Sequence, residues 1–144
     1  MKTSQRGMDL IKKHEGLRLK AYVCPAGKLT IGYGHTGRDV YDGLEITEDI
    51  ADALLRKDLA TFEWQLSNLV TVPVTQNQFD AMLSLLYNIG SANFRKSTLL
   101  RLVLNNPDNP AIPSEFLRWK YAGGKALPGL VARRKDEAAL YSTV

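Results

Sequence analysis

From Thr47 to Leu69 the chain runs TEDIADALLRKDLATFEWQLSNL, and this stretch decides the fold class. Leu55, Leu59, Phe62, Leu66 and Leu69 advance by alternate steps of four and three, which lays one apolar stripe along a long helix. Thr47 is placed to cap it, ahead of Glu48 and Asp49, two acids suited to the positive end of a helix dipole. Upstream the period is different. Leu29, Ile31 and Tyr33 alternate with Thr30, Gly32 and Gly34, the two-residue rhythm of a half-buried strand. The rhythm changes once, near residue 46, so a β-containing segment gives way to a helical remainder.

The other segments carry their own start and stop signals. Ser4 is positioned to cap an opening helix whose Met8 and Ile11 share a face, and Gly16 to end it, which puts Glu15 in the last turn. Ala26-Gly27-Lys28 predicts a turn, with Tyr22 and Val23 in the partner strand of a hairpin. The bare Gly32 and Gly34 leave room for a close neighbour, either a ligand or packed backbone. Val72-Pro73-Val74 ends the long helix. Thr75 and Gln78 then form a capping box, with Val74 and Phe79 as its hydrophobic staple. Phe79, Met82, Leu83 and Leu86 continue that helix, and Gly90 can end it. A further helix is expected over 97–104, before the Asn105-Asn106-Pro107 stop. Ser114 is expected to cap a helix holding Phe116, Leu117 and Trp119, with Gly123-Gly124 as a break and a last helix from Pro128 through Arg134 to Tyr141.

These elements predict an α+β, mainly helical fold in one domain, residues 1–144, with two lobes. A small β-hairpin lobe is expected at about 15–50 and a larger helical lobe at about 60–144, with the N-terminal helix packed on the latter and the helix starting at Thr47 joining them.

Composition narrows the function. The 144 residues are 44% hydrophobic, which excludes wholesale disorder. No apolar run approaches the ~20 residues of a membrane-spanning helix. The opening MKTSQRGMDLIKKHEG lacks the apolar core and cleavage site of a secretory signal. One Cys excludes an intrachain disulfide and a Cys-based zinc site. Nineteen basic residues against 15 acidic ones give a net charge of +4, which favours encounter with polyanions or simply keeps the surface soluble. The basic residues are scattered, apart from a knot at Arg133, Arg134 and Lys135. No aromatic residues are interleaved with a basic stripe, so nucleic acid is not an expected partner.

The stretch from Glu15 to His35 gathers an acid, a thiol, a hydroxyl and an imidazole around the hairpin. A general acid at neutral pH needs a pKa above the ~4.3 of a free Glu, and both burial and the negative end of a helix supply that shift. Glu15 stands at such an end. The plainer alternative is a solvated Glu paired with Arg18 or Lys12. Cys24 is either an inert small apolar residue or a functional thiol, and the latter needs a neighbour that lowers its pKa from ~8.5. Thr30 and His35 have equally ordinary readings as a strand residue and a structural hydrogen-bonding group. His14 and His35 do not form a metal-site pattern.

Taken together, Glu15-Gly-Leu-Arg-Leu-Lys-Ala-Tyr22 and Thr30-Ile-Gly-Tyr-Gly-His35 resemble the phage-type lysozymes, glycoside hydrolase family 24. The resemblance extends to Gln78-Phe-Asp-Ala-Met82, Tyr87-Asn-Ile-Gly90, Phe94-Arg-Lys-Ser-Thr98, Arg118-Trp119 and Leu127-Pro-Gly-Leu-Val-Ala-Arg-Arg134. It implies hydrolysis of the β-1,4 bond between N-acetylmuramic acid and N-acetylglucosamine in peptidoglycan. By position, Glu15 matches the catalytic acid and Thr30 the Thr that helps hold the attacking water. His35 and Thr36 match the cleft floor, Tyr87 and Asn88 its rim, and Ser97 a further substrate contact. Cys24 departs from the pattern, because the family usually has Asp there. The thiol can ionise and activate water beside Thr30, only position the water, or attack the sugar itself. Arg133 and Arg134 are read either as cleft residues that pair with Glu15 or a peptide-stem carboxylate, or as surface arginines.

The resemblance further implies a phage endolysin that acts on bacterial peptidoglycan as a monomer, with no cofactor, no metal, no nucleic acid and no stable membrane insertion. Such an enzyme is expected to wait in the host cytoplasm until a separate membrane lesion, such as a holin, admits it to the wall. The competing readings are a non-catalytic wall-binding module, which the loss of the second carboxylate would explain, and a lytic transglycosylase, which needs one acid only.

Overall fold

The chain opens with a helix because Ser4 supplies an oxygen to its free amides: Ser4 Oγ accepts from Gly7 N, and helix α1 then runs Gln5–Glu15 and stops at Gly16. The computed structural model describes residues 1–144 and divides them into two compact units, Ile11–Thr61 on one hand and Met1–Leu10 with Phe62–Val144 on the other.

In the Ile11–Thr61 unit, strands β1 (Arg18–Val23), β2 (Leu29–Gly32) and β3 (His35–Thr36) form an antiparallel sheet in that order. The first hairpin pairs Tyr22 with Thr30 and Val23 with Leu29. Its turn is set by composition. Pro25 has the fixed φ suited to the second turn position, and Gly27 takes φ +81°, a conformation that L side chains rarely adopt. Gly27 N donates to Cys24 O (2.8 Å) and Cys24 N to Lys28 O (2.9 Å), so the turn begins at Cys24. The predicted strand through Tyr33 is shorter than its alternation suggested. It ends at Gly32, and Tyr33-Gly34 turn the chain into β3, where Thr30 pairs with Thr36 and Ile31 with His35. A Cβ placed on Gly32 would lie 3.5 Å from Ala51 Cβ, so packed protein, the second of the two alternatives, occupies that face.

Ala51 belongs to helix α2 (Glu48–Leu69), whose first turn is capped by Thr47 Oγ1 accepting from Ile50 N at 3.3 Å. Ile11, Ile31, Tyr33, Val40, Ala51, Leu55 and Leu59 are the buried apolar residues of this unit.

The other unit is helical: α3 (Gln76–Ile89), α4 (Ser91–Arg95), α5 (Thr98–Asn105), α6 (Ile112–Phe116) and α7 (Pro128–Tyr141). The Thr75/Gln78 capping box is present in both directions, with Gln78 N donating to Thr75 Oγ1 (3.1 Å) and Thr75 N to Gln78 Oε1 (2.9 Å). Three local readings change. Helix α4 is a single short turn between Gly90 and Ser97, too brief to leave a periodic signal. Ser114 does not cap α6; the N-cap position is Ala111, without a side-chain bond, and Pro113 occupies the first turn, where its missing N–H costs nothing. A 3₁₀ turn over Leu117–Trp119 follows α6. Gly123-Gly124 is the tip of a small hairpin, β4 (Tyr121–Ala122) with β5 (Lys125–Ala126), rather than a simple break.

The centre of this unit is apolar, with Phe79, Met82, Leu83, Leu86, Phe94, Leu99, Val103, Ile112 and Phe116 buried, yet it encloses charge. Arg133 and Arg134 are buried and pair with Glu137, at 3.3 Å from Arg133 Nε and 2.7 Å from Arg134 Nε. Ser84 Oγ also donates to Glu137, and Arg133 and Arg134 donate to the carbonyls of Ser84 and Trp119. The reading of these two arginines as exposed surface residues is therefore corrected: i,i+4 and i,i+3 spacing on α7 ties them to Glu137 inside the fold. Burial raises the Glu137 pKa against the pull of the two guanidiniums. No helix of the chain is long and apolar enough to cross a membrane.

Candidate active site

The chemistry read from the sequence lies in the Ile11–Thr61 unit. Glu15 is the last residue of α1 and is half-buried. Cys24 is the first residue of the hairpin turn and also half-buried, while Thr30 is buried on β2. The pairing of Tyr22 with Thr30 brings the thiol and the hydroxyl to the same end of the hairpin. There the Thr30 hydroxyl, helped by the backbone at Lys28, holds the Cys24 thiol below its usual pKa, against a smaller opposing effect of burial. Thr30 Oγ1 also reaches the Lys28 carbonyl at 3.0 Å. A hydroxyl has one proton and can give it to the carbonyl or to the sulfur. Turned to the sulfur, it favours the thiolate.

His35 is buried between two carboxylates. Its Nδ1 lies 2.7 Å from Asp58 Oδ2 and its Nε2 2.9 Å from Asp39 Oδ1. Burial pulls its pKa down, but the hydrogen bonds and negative charges of Asp58 and Asp39 outweigh this and leave it raised. Asp39 is held below the usual carboxylate range by the same contact. With both nitrogens engaged, the imidazole braces the loop after β3 to α2. Thr36, the next residue, is exposed.

The remaining predicted residues sit in the helical unit. Tyr87 is half-buried near the end of α3, its ring edge-on to Phe62 at 5.1 Å, and Asn88 beside it is exposed. Ser97 is buried at the N-cap of α5. Its Oγ accepts from Leu100 N (3.1 Å) and donates to Phe94 O (2.7 Å), which commits most of its hydrogen-bonding capacity to the backbone.

The phage lysozyme family profile matches residues 12–137. The chain belongs to the phage lysozyme family. An endolysin of Acyrthosiphon pisum secondary endosymbiont phage 1 is 47% identical over 99% of both chains. A lysozyme of phage P22 (L86M mutant), known from its crystal structure, superposes with a TM-score of 0.91 at 43% identity and covers 99% of each chain. A SAR-endolysin of bacteriophage PS119 is 43% identical over 85% of this chain and 73% of its own length.

This lysozyme is thus an enzyme of the endolysin kind, and it acts on peptidoglycan. Two partners of His35 were absent from the sequence reading. Asp39 carried a usable signal, four residues beyond His35. Asp58 did not, because 23 residues separate it from the imidazole and only the fold brings them together. No cluster of three or more His, Cys, Asp or Glu side chains could hold a metal ion.

Proposed function

We propose that this lysozyme hydrolyses the β-1,4 bond between N-acetylmuramic acid and N-acetylglucosamine, with Glu15 as the proton donor to the glycosidic oxygen and Cys24 with Thr30 as the groups that organise the attacking water. The observation that carries the reading is the Cys24–Thr30 pair: a hydroxyl placed at a thiol by strand register, in the direction that favours the thiolate.

The steps follow from the groups. Bond cleavage leaves an oxocarbenium-like centre at the anomeric carbon while Glu15 gives its proton to the departing oxygen. Water then adds to that carbon and must lose a proton. Cys24 sulfur, once ionised, accepts it, and the Thr30 oxygen fixes the water's position. A thiolate is a single negative charge near the anomeric carbon, as a carboxylate would be, so it supplies charge stabilisation as well as basicity. His35 holds the site's loop through Asp39 and Asp58. Thr36, Tyr87, Asn88 and Ser97 keep their assignment as glycan contacts from family resemblance, with Ser97 and His35 acting through backbone order as much as by direct contact.

Lysis assays on purified walls, combined with mass spectrometry of the released muropeptides, test this. Hydrated reducing ends from the parent protein and none from Glu15→Gln support it. Anhydro ends select a transglycosylase, and wall binding without release selects a non-catalytic module. The same reading places the enzyme on the wall side of the host membrane at work. Release through a separate lesion is one route. The name of the PS119 relative, a SAR-endolysin, favours a second route that does not depend on a holin. Lysis timing in cells with and without a holin separates them.

A further inference from the structure

From Ala81 to Pro107 the chain holds no Asp or Glu, yet it holds Arg95, Lys96 and Arg101. All three line one groove of about 320 Å³ where α4 meets α5, together with Ser97, Thr98 and Leu104. Arg95, Lys96 and Arg101 are exposed, and none is paired with a carboxylate. Some cations elsewhere are answered, as Lys12 is by Asp52 at 2.8 Å and Arg118 by Glu115 at 3.0 Å, and others such as Lys2, Arg56 and Lys135 are unpaired; what sets Arg95, Lys96 and Arg101 apart is that three unpaired cations line one groove. Three like charges on one groove repel one another, and the amide dipoles at the start of α5 add to the same sign. Moving any one of them to another surface position would relieve that cost.

We propose that this groove binds phosphate groups of the bacterial envelope, and so holds the enzyme at its substrate independently of Glu15. The charge count selects the anion. A peptide-stem carboxylate neutralises one of three cations, whereas a phosphate monoester or successive phosphodiesters of a polymer neutralise two or more. Guanidinium forks suit the oxygens of phosphate, Lys96 adds a point charge, and the Thr98 hydroxyl adds a neutral donor at the same rim. The volume exceeds that of a single phosphate and leaves space for the sugar or polyol that bears it.

The test compares parent protein with a triple variant, Arg95→Gln, Lys96→Gln and Arg101→Gln. A control triple, Lys2→Gln, Arg56→Gln and Lys135→Gln, has the same net charge. Calorimetric titration with inorganic tripolyphosphate at low salt should show binding about tenfold or more weaker for the groove variant and little change for the control. Sedimentation is then measured with Glu15→Gln backgrounds, which leave walls intact. Walls that retain phosphate polymers, walls stripped of them by hydrofluoric acid, and vesicles of anionic phospholipid are the three arms. Loss confined to phosphate-bearing walls assigns the source to a wall polymer, and loss on vesicles assigns it to lipid headgroups. Equal loss on stripped walls makes stem carboxylates the ligand and overturns the proposal, as does equal loss in the control triple or no loss at all. Muropeptide release from stripped walls by the groove variant with Glu15 intact should match the parent. Absence of release from the parent itself would point instead to failure of the Glu15 reading.

Discussion

The two units solve the problem of polar burial in opposite ways. The helical unit has a large apolar centre and encloses complete charge clusters within it: Glu137 with two arginines and Ser84, and Asp80 with Ser4 and Gln76. The Ile11–Thr61 unit has a smaller apolar set and ties its parts from the side, the loop after β3 to α2 through the His35 clamp and α1 to α2 through the Lys12–Asp52 pair. In the first, the buried Glu137 and Asp80 carboxylates each meet several protein donors. In the second, Cys24 and Glu15 are only half-buried. The groups proposed to react thus lie in the unit with fewer buried apolar residues. This division of labour predicts that activity and stability can be broken separately.

The largest separation is expected between Glu15→Gln and Glu137→Ala. Glutamine cannot donate the proton, so Glu15→Gln should lower wall lysis by about 10³-fold, in the range of general-acid contributions. Its melting temperature should equal or exceed the parent's, since glutamine keeps the size of the side chain and removes only the acid. A variant that lyses normally would end the assignment. Glu137→Ala should do the reverse. It removes the carboxylate that both buried guanidiniums pair with, at a cost of about 3–5 kcal/mol, and whatever folded protein remains should keep its specific activity. Denaturant unfolding with active-fraction titration measures both; a loss under 1 kcal/mol would show that the cluster is dispensable.

Replacements at Cys24 sharpen the catalytic half of the comparison. Cys24→Ser keeps a small polar group but gives up an ionisable one, and should reduce kcat by about 10- to 100-fold, at the low end for a base. Cys24→Asp restores a carboxylate and should match or exceed the parent. Thiol-specific alkylation should inactivate the parent and spare Cys24→Asp. If Cys24→Ser lyses at the parent rate, the sulfur has no part in the chemistry.

How far the sequence could be read follows the same line between local and distant contacts. The long helix, the capping box at Thr75 and the Cys24–Thr30 approach were legible because each is written in a short span by period, cap or turn. The β4–β5 hairpin was read as a break because its strands are two residues each, leaving Gly123-Gly124 as the only signal. The burial of Arg133 was illegible for a different reason. Its carbonyl partner is Ser84, 49 residues away, and a basic triplet at 133–135 has the same spelling whether two of its members are inside or all are out. The acid at 137 was the one local hint. His35 shows both cases at once, with Asp39 nearby in sequence and Asp58 on another element.

The smallest effect concerns that clamp, and pH gives it a sign. The His35 pKa is raised in the folded state, so its contribution is fully present below the ordinary histidine value near ~6.5 and fades as pH rises through the folded value. The Asp39 pKa is lowered, so its contribution is present above the ordinary aspartate value and fades as pH falls through the folded one. The clamp is therefore strongest in mildly acid solution, between the two groups' ordinary values, and weakens on both sides. His35→Asn should cost about 1–2 kcal/mol there, mainly through the loss of the charged bond to Asp58, and less at pH 8 and above. The stability difference between parent and variant, followed by denaturant unfolding across pH 4–9, should trace a maximum. A flat difference would mean that His35 stays neutral and only fills space, and the Ile11–Thr61 unit, unlike the helical one, would then draw little on buried charge.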